Sequence, residues 1–133
     1  MNGTGATLAR LFASGFLAVL FLQSGLDKVL DRAGNVAYFR SVFERSSLRR
    51  FSKALLTLIT LGEVGAGALS AAGFLVMITS RGRDSEMAFA GALLATVCIV
   101  SLFTGLRLTK DYASAAGIVP YFLSCLAALV LLG

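Results

Sequence analysis

The chain has 133 residues, of which 57% are hydrophobic and 14% charged, with a net charge of +5 and a mean hydropathy of +0.85. Soluble domains run at about 45–50% apolar and about 25% charged, so this composition excludes disorder, a nucleic-acid-binding domain and a secreted disulfide scaffold. One Pro and no His argue against a loop-rich metal centre or a His-based triad, and the length allows a single domain, residues 1–133.

Crossing the hydrocarbon core takes roughly 20 mostly apolar residues as a helix, and four blocks meet that length. The first, residues 8–26, has no small-residue cleavage pattern behind it and reads as a membrane helix, not a signal peptide. A connection over 27–53 follows, in which Val36, Phe39, Val42 and Phe43 recur at helical spacing with Arg40, Glu44 and Arg45 off that stripe. The pattern predicts a short amphipathic interfacial helix with its basic side toward anionic lipid. Ser47 is placed to cap the next helix, and Arg49, Arg50 and Lys53 to snorkel toward phosphates. The second block, 54–78, carries one acid, Glu63, whereas the third, 87–106, and the fourth, 113–132, carry no charge. Helices that are apolar all round suit lipid. The expected fold is therefore all-α, an integral membrane four-transmembrane-helix bundle.

Side assignment follows the basic residues of the short loops. Lys28, Arg32, Arg40, Arg45, Arg49, Arg50, Lys53, Arg107 and Lys110 fall at one end, and only Arg10, Arg81 and Arg83 at the other. This places both termini outside, or periplasmic, and the long connection in the cytoplasm. Gly62, Ala66 and Ser70 are spaced by four, as are Ala88 with Ala92 and Gly91 with Ala95. Such spacing lets helix backbones approach closely in lipid.

Glu63 lies about nine residues into its block, roughly 13 Å below the cytoplasmic edge at 1.5 Å per residue. An acid at that depth must be protonated, paired or in a wet cavity. Gln23 and Ser24 lie at overlapping depth, and Lys28 has a stem long enough to reach back. Two readings stand: a proton-accepting or quinone-facing carboxyl in a small polar pocket, and a protonated Glu that holds two helices together by a hydrogen bond. A second polar cluster, Arg107, Lys110, Asp111 and Tyr112, suits either head-group or anion contacts or an interfacial anchor, with Asp111 able to cap the fourth helix. Pro120 predicts a kink that frees a carbonyl near Ala116 or Gly117. Cys98 and Cys125 stand alone in separate helices and read as small core residues. No catalytic set and no metal-ligating set emerges.

FLQSGLDKVLD at 21–31, LGEVGAGALSAAG at 61–73 and GLRLTKDYASAAGIVPYFL at 105–123, in that order, resemble the DoxX-like family of small four-helix bacterial membrane proteins. The resemblance implies a bundle in the bacterial inner membrane tied to redox systems, with Gly25, Lys28, Glu63, Lys110, Asp111 and Tyr112 as candidate positions. The family takes its name from a subunit of a thiosulfate:quinone oxidoreductase, and this chain contains no soluble thiosulfate-handling domain. The expectation is a non-catalytic subunit of a respiratory, photosynthetic or sulfur-oxidising complex. Its partners would be the lipid bilayer and other membrane subunits, with no nucleic acid, no covalently bound cofactor, and quinone as the candidate ligand. The alternative is a quinone-reactive subunit in which Glu63 exchanges the proton.

Overall fold

The structure, a computed structural model, describes residues 3–133. It contains five α-helices: α1 (Gly3–Leu30), α2 (Arg32–Val42), α3 (Ser52–Thr79), α4 (Glu86–Leu108) and α5 (Tyr112–Leu132). A single 3-10 turn, Arg49–Phe51, leads into α3. Helices α1, α3, α4 and α5 are each long and apolar enough to cross a membrane. They match the four expected blocks, with α1 extended at both ends.

These four pack in a ring, α1 on α3, α3 on α4, α4 on α5, and α5 back on α1. Small residues set the register. Gly15 faces Phe74, Gly67 faces Leu22 and Gly25 faces Val64, so residue numbers rise on α1 as they fall on α3 and the two run antiparallel. On the next seam Gly73 faces Ala88 and Gly91 faces Ser70. Ala66, Ser70, Ala88, Gly91, Ala92 and Ala95 are all buried. The four alanines join Leu17, Phe21, Met77, Cys98, Cys125 and Ala128 in the core. Both cysteines are free.

In an apolar 18-residue stretch of each span, between 22% and 33% of the residues are buried inside the bundle. The outward faces carry Phe12, Val19, Leu58, Leu61, Leu75 and Val130. Apolar surface on that scale is tolerated in hydrocarbon and not in water, which makes this a multi-pass membrane protein. At about 1.5 Å per residue the 28 residues of α1 and of α3 reach about 42 Å. A hydrocarbon core of about 30 Å is thus exceeded at both ends.

The connection between α1 and α3 contains a short helix, α2, which carries Val36, Phe39 and Val42 of the apolar stripe, with Phe43 at its C-cap. Asp31 caps α2, its carboxylate accepting the Gly34 N–H at 3.3 Å. The apolar stripe turns inward: Phe39 and Phe43 bury against Leu56, with Val36, Val42, Leu48, Leu55 and Leu102 around them. Helix α2 therefore packs on α3 and α1 at one end of the bundle, with Leu102 of α4 beside its aromatic cluster. The capping expectation at Ser47 is corrected. Ser46 Oγ accepts the Leu48 N–H at 3.1 Å, and the N-caps of the 3-10 turn and of α3, Leu48 and Phe51, have no side-chain cap. Pro120 lies exposed inside a continuous α5.

At the opposite end Arg10 joins three elements. Its Nε donates to the Leu131 carbonyl at 2.8 Å and its Nη1 to the Gly82 carbonyl at 3.4 Å. A charged donor there satisfies a terminal carbonyl of α5 that has no intrahelical partner. Replacing Arg10 by Gln is expected to lower stability by about 1.5–3 kcal/mol, the usual worth of a hydrogen bond to a charged group. Thermal unfolding in detergent measures it, and an unchanged midpoint would show that the link is not made.

Candidate functional site

Helices α1 and α3 bring Ser24, Lys28 and Glu63 together. Lys28 Nζ lies 2.9 Å from Glu63 Oε2, with the two side chains 13% and 3% exposed. Ser24 Oγ donates to the same carboxylate oxygen at 3.0 Å, and Lys28 Nζ donates to Ser24 Oγ at 3.0 Å. The spacing explains the triangle. Ser24 and Lys28 are four apart on α1, hence on one face, and Gly25 between them lets α3 approach. A Cβ at Gly25 would fall 3.0 Å from the Val64 amide nitrogen. Of the three conditions open to a buried acid, pairing is the one realised. Gln23 is not part of the triangle: it is exposed, whereas Ser24 and Lys28 are partly buried.

Beside this triangle lies a cleft of about 760 Å³ between α2, α3 and α4. Its walls are mostly apolar, with Leu55, Leu58, Ile59, Leu94, Val97 and Leu102 among them. Polar groups are few: Lys28, Asn35, Tyr38, Ser101 and Thr104. The cleft runs from α2 at the end of the bundle down to Gly62 and Cys98, well inside the spans. Lys28 belongs both to the cleft wall and to the Glu63 pair, whereas Glu63 itself is sealed behind it. A concave, chiefly apolar site with a few convergent polar groups is the usual form of a small-molecule site. An amphipathic ligand fits this one, with its polar part near Lys28 and Asn35 and its apolar part toward Leu94.

The second sequence-derived cluster lies apart. None of Arg107, Lys110, Asp111 and Tyr112 lines the cleft, although Gly105, Leu106 and Leu108 of the same turn do. Arg107 stacks its guanidinium over the Tyr112 ring, 4.3 Å from the centroid. Asp111 caps α5, accepting the Ser114 N–H at 3.2 Å. Lys110 is exposed and holds the left-handed position after α4, at φ 63°. Its conformation closes a helix-ending turn in which the Asp111 N–H reaches the Leu106 carbonyl at 2.9 Å. The geometry of this cluster is that of a helix-ending turn followed by an N-cap.

Sequence reading misses Asn35 and Tyr38, because only the fold of α2 back onto α3, beside α4, brings them to the cleft. Among the described residues no three His, Cys, Asp or Glu side chains come together as a metal site would require. No protein-family model, no curated protein and no solved structure matches this chain.

Proposed function

We propose that this chain is a non-catalytic integral subunit of a bacterial membrane redox assembly, and that its cleft holds a lipid or a quinone. It would sit in the inner membrane with both termini outside and α2 at the cytoplasmic face. The observation that carries the ligand part is the cleft itself, about 760 Å³, apolar along its length and polar where Lys28 and Asn35 meet it. The assembly and its redox character rest on the resemblance to DoxX-like proteins. The outward apolar faces leave ample surface for neighbouring subunits, and the excess of bases at the α2 end supports the orientation.

Occupancy is tested with a photoactivatable quinone analogue and, separately, a photoactivatable phospholipid, on the purified chain. Labelling is expected in peptides of α2, α3 and α4 and is expected to fall at least tenfold in Val97→Trp, which fills the cleft. Val130→Trp, on an exposed face, should leave it unchanged. Equal labelling of both variants would remove the cleft from the reading. Purification from native membranes tests the assembly: stoichiometric partners are expected, and a stable solitary chain argues against it.

One observation favours the quinone-reactive alternative. Lys28 touches both the cleft and Glu63, giving a polar link between a bound head group and a buried carboxyl. Under that reading Glu63→Gln slows quinone turnover while the assembly survives; unchanged turnover rejects it.

A further inference from the structure

A second concavity of about 520 Å³ opens where the chain enters α3, lined by Arg40, Ser46, Ser47, Arg49, Arg50, Ser52 and Lys53. Four of these seven are cationic and none is acidic. The four bases are exposed, and the single salt bridge among the described residues is Lys28–Glu63, so no carboxylate neutralises them. Arg50 alone has a neutral partner, the Phe51 ring, 4.9 Å from its guanidinium carbon. Ser46 Oγ accepts the Leu48 N–H, which leaves its own proton to donate outward. Ser52, by contrast, spends its proton on the Arg49 carbonyl at 2.6 Å. Four convergent positive charges repel one another, and an anion placed among them relieves that repulsion.

Position decides what the anion is. The pocket surrounds the first turn of a membrane-crossing helix, just before its apolar stretch, which is head-group depth. Arginine presents a planar fork matched to phosphate oxygens, and basic pockets at the ends of membrane helices take lipid phosphates. We propose that this pocket is a phosphate-anion site held by Arg40, Arg49, Arg50 and Lys53, filled by the head group of an anionic lipid or by free phosphate. It shares no lining residue with the α2–α3–α4 cleft, so it stands or falls separately from the proposed function.

The test uses the delipidated full chain in detergent, with binding read by native mass spectrometry. Cardiolipin, phosphatidylglycerol, phosphatidylcholine and inorganic phosphate are added in separate arms. Cardiolipin is expected to bind best, phosphatidylglycerol more weakly and phosphatidylcholine least. At about 1 kcal/mol per base near an anionic surface, each of Arg49→Gln and Arg50→Gln is expected to weaken binding about fivefold, and the pair about 25-fold. Arg45→Gln removes an equal charge from the same connection outside the pocket and is expected to change binding less than twofold. Retention of cardiolipin against millimolar phosphate assigns the site to lipid. Binding of phosphate with displacement of lipid assigns it to the free ion. Equal binding of phosphatidylcholine, or an Arg45→Gln effect as large as that of Arg49→Gln, overturns the proposal, because the charge would then act without a site.

Discussion

Replacing Lys28 with methionine is expected to cost about 3–5 kcal/mol of bundle stability, because it leaves the Glu63 carboxylate buried without its counter-charge. The carboxylate is 3% exposed and its remaining partner is the Ser24 hydroxyl, which does not replace a full positive charge. Methionine keeps the length and apolar stem of lysine, so lost packing contributes little. Removing both charges together should behave differently. Lys28→Met combined with Glu63→Leu deletes the ion pair and its desolvation cost at once, and well-packed apolar replacements of buried pairs are often neutral or stabilising. The expected cycle is one strongly destabilised single variant and a double variant near the wild type, read by thermal unfolding in one detergent. A Lys28→Met protein that melts with the wild type would mean that the pair does not form.

Gly73→Leu is the second large effect, expected at about 3 kcal/mol or more, the upper range for overpacked cores. A Cβ at Gly73 would fall 2.5 Å from the Ala88 Cα, and against the Ala88 amide nitrogen as well. Backbone cannot rotate aside as a side chain can, so α3 and α4 must separate along a seam built from Ser70, Ala88, Gly91 and Ala92. In lipid, close backbone approach is itself the source of association, since hydrocarbon offers no hydrophobic drive between helices. The loss should therefore appear both as a lower unfolding midpoint and as faster cross-linking by reagents reaching Cys98. Gly117 supplies the control. Nothing lies within 4 Å of its Cβ position, and Gly117→Ala is expected to be neutral or to stabilise by about 0.5–1 kcal/mol through helix preference alone. If Gly73→Leu behaves like Gly117→Ala, the α3–α4 seam is not as described.

The four spans were legible because length and hydropathy decide them without tertiary information. Ser24 and Lys28 were legible as side chains within reach of Glu63, but so was Gln23, which is exposed, and the ion pair itself was not read. The state of Glu63 was open, because a single buried acid admits pairing, protonation or hydration until a partner's position is known. The amphipathic period of α2 is visible in Val36, Phe39, Val42 and Phe43. Periodicity gives a helix a face but not the surface that face meets. Here Phe39 and Phe43 meet Leu56, and that choice is what creates the cleft and brings in Asn35 and Tyr38. The bases at 40, 49, 50 and 53 were legible as a membrane-facing charge, whereas their convergence on one concavity depends on the 3-10 turn at Arg49–Phe51, which no local signal marks. Both left-handed non-glycine positions, Arg81 and Lys110, were invisible for the same reason: the residues usual at such turns are absent from them.

The Arg10 link bears on how the bundle comes into being. Synthesis delivers α1 first, and its Lys28–Glu63 partner follows within a short stretch of chain. Arg10 must wait far longer for its shorter contact, because the acceptor on Leu131 lies 121 residues downstream, in α5. Until then the guanidinium on the first helix has only its longer contact, to the Gly82 carbonyl ahead of α4. The contact therefore acts as a latch that only a complete set of helices can close. A chain halted before α5 would lack the shorter of the two Arg10 contacts, the one to the Leu131 carbonyl.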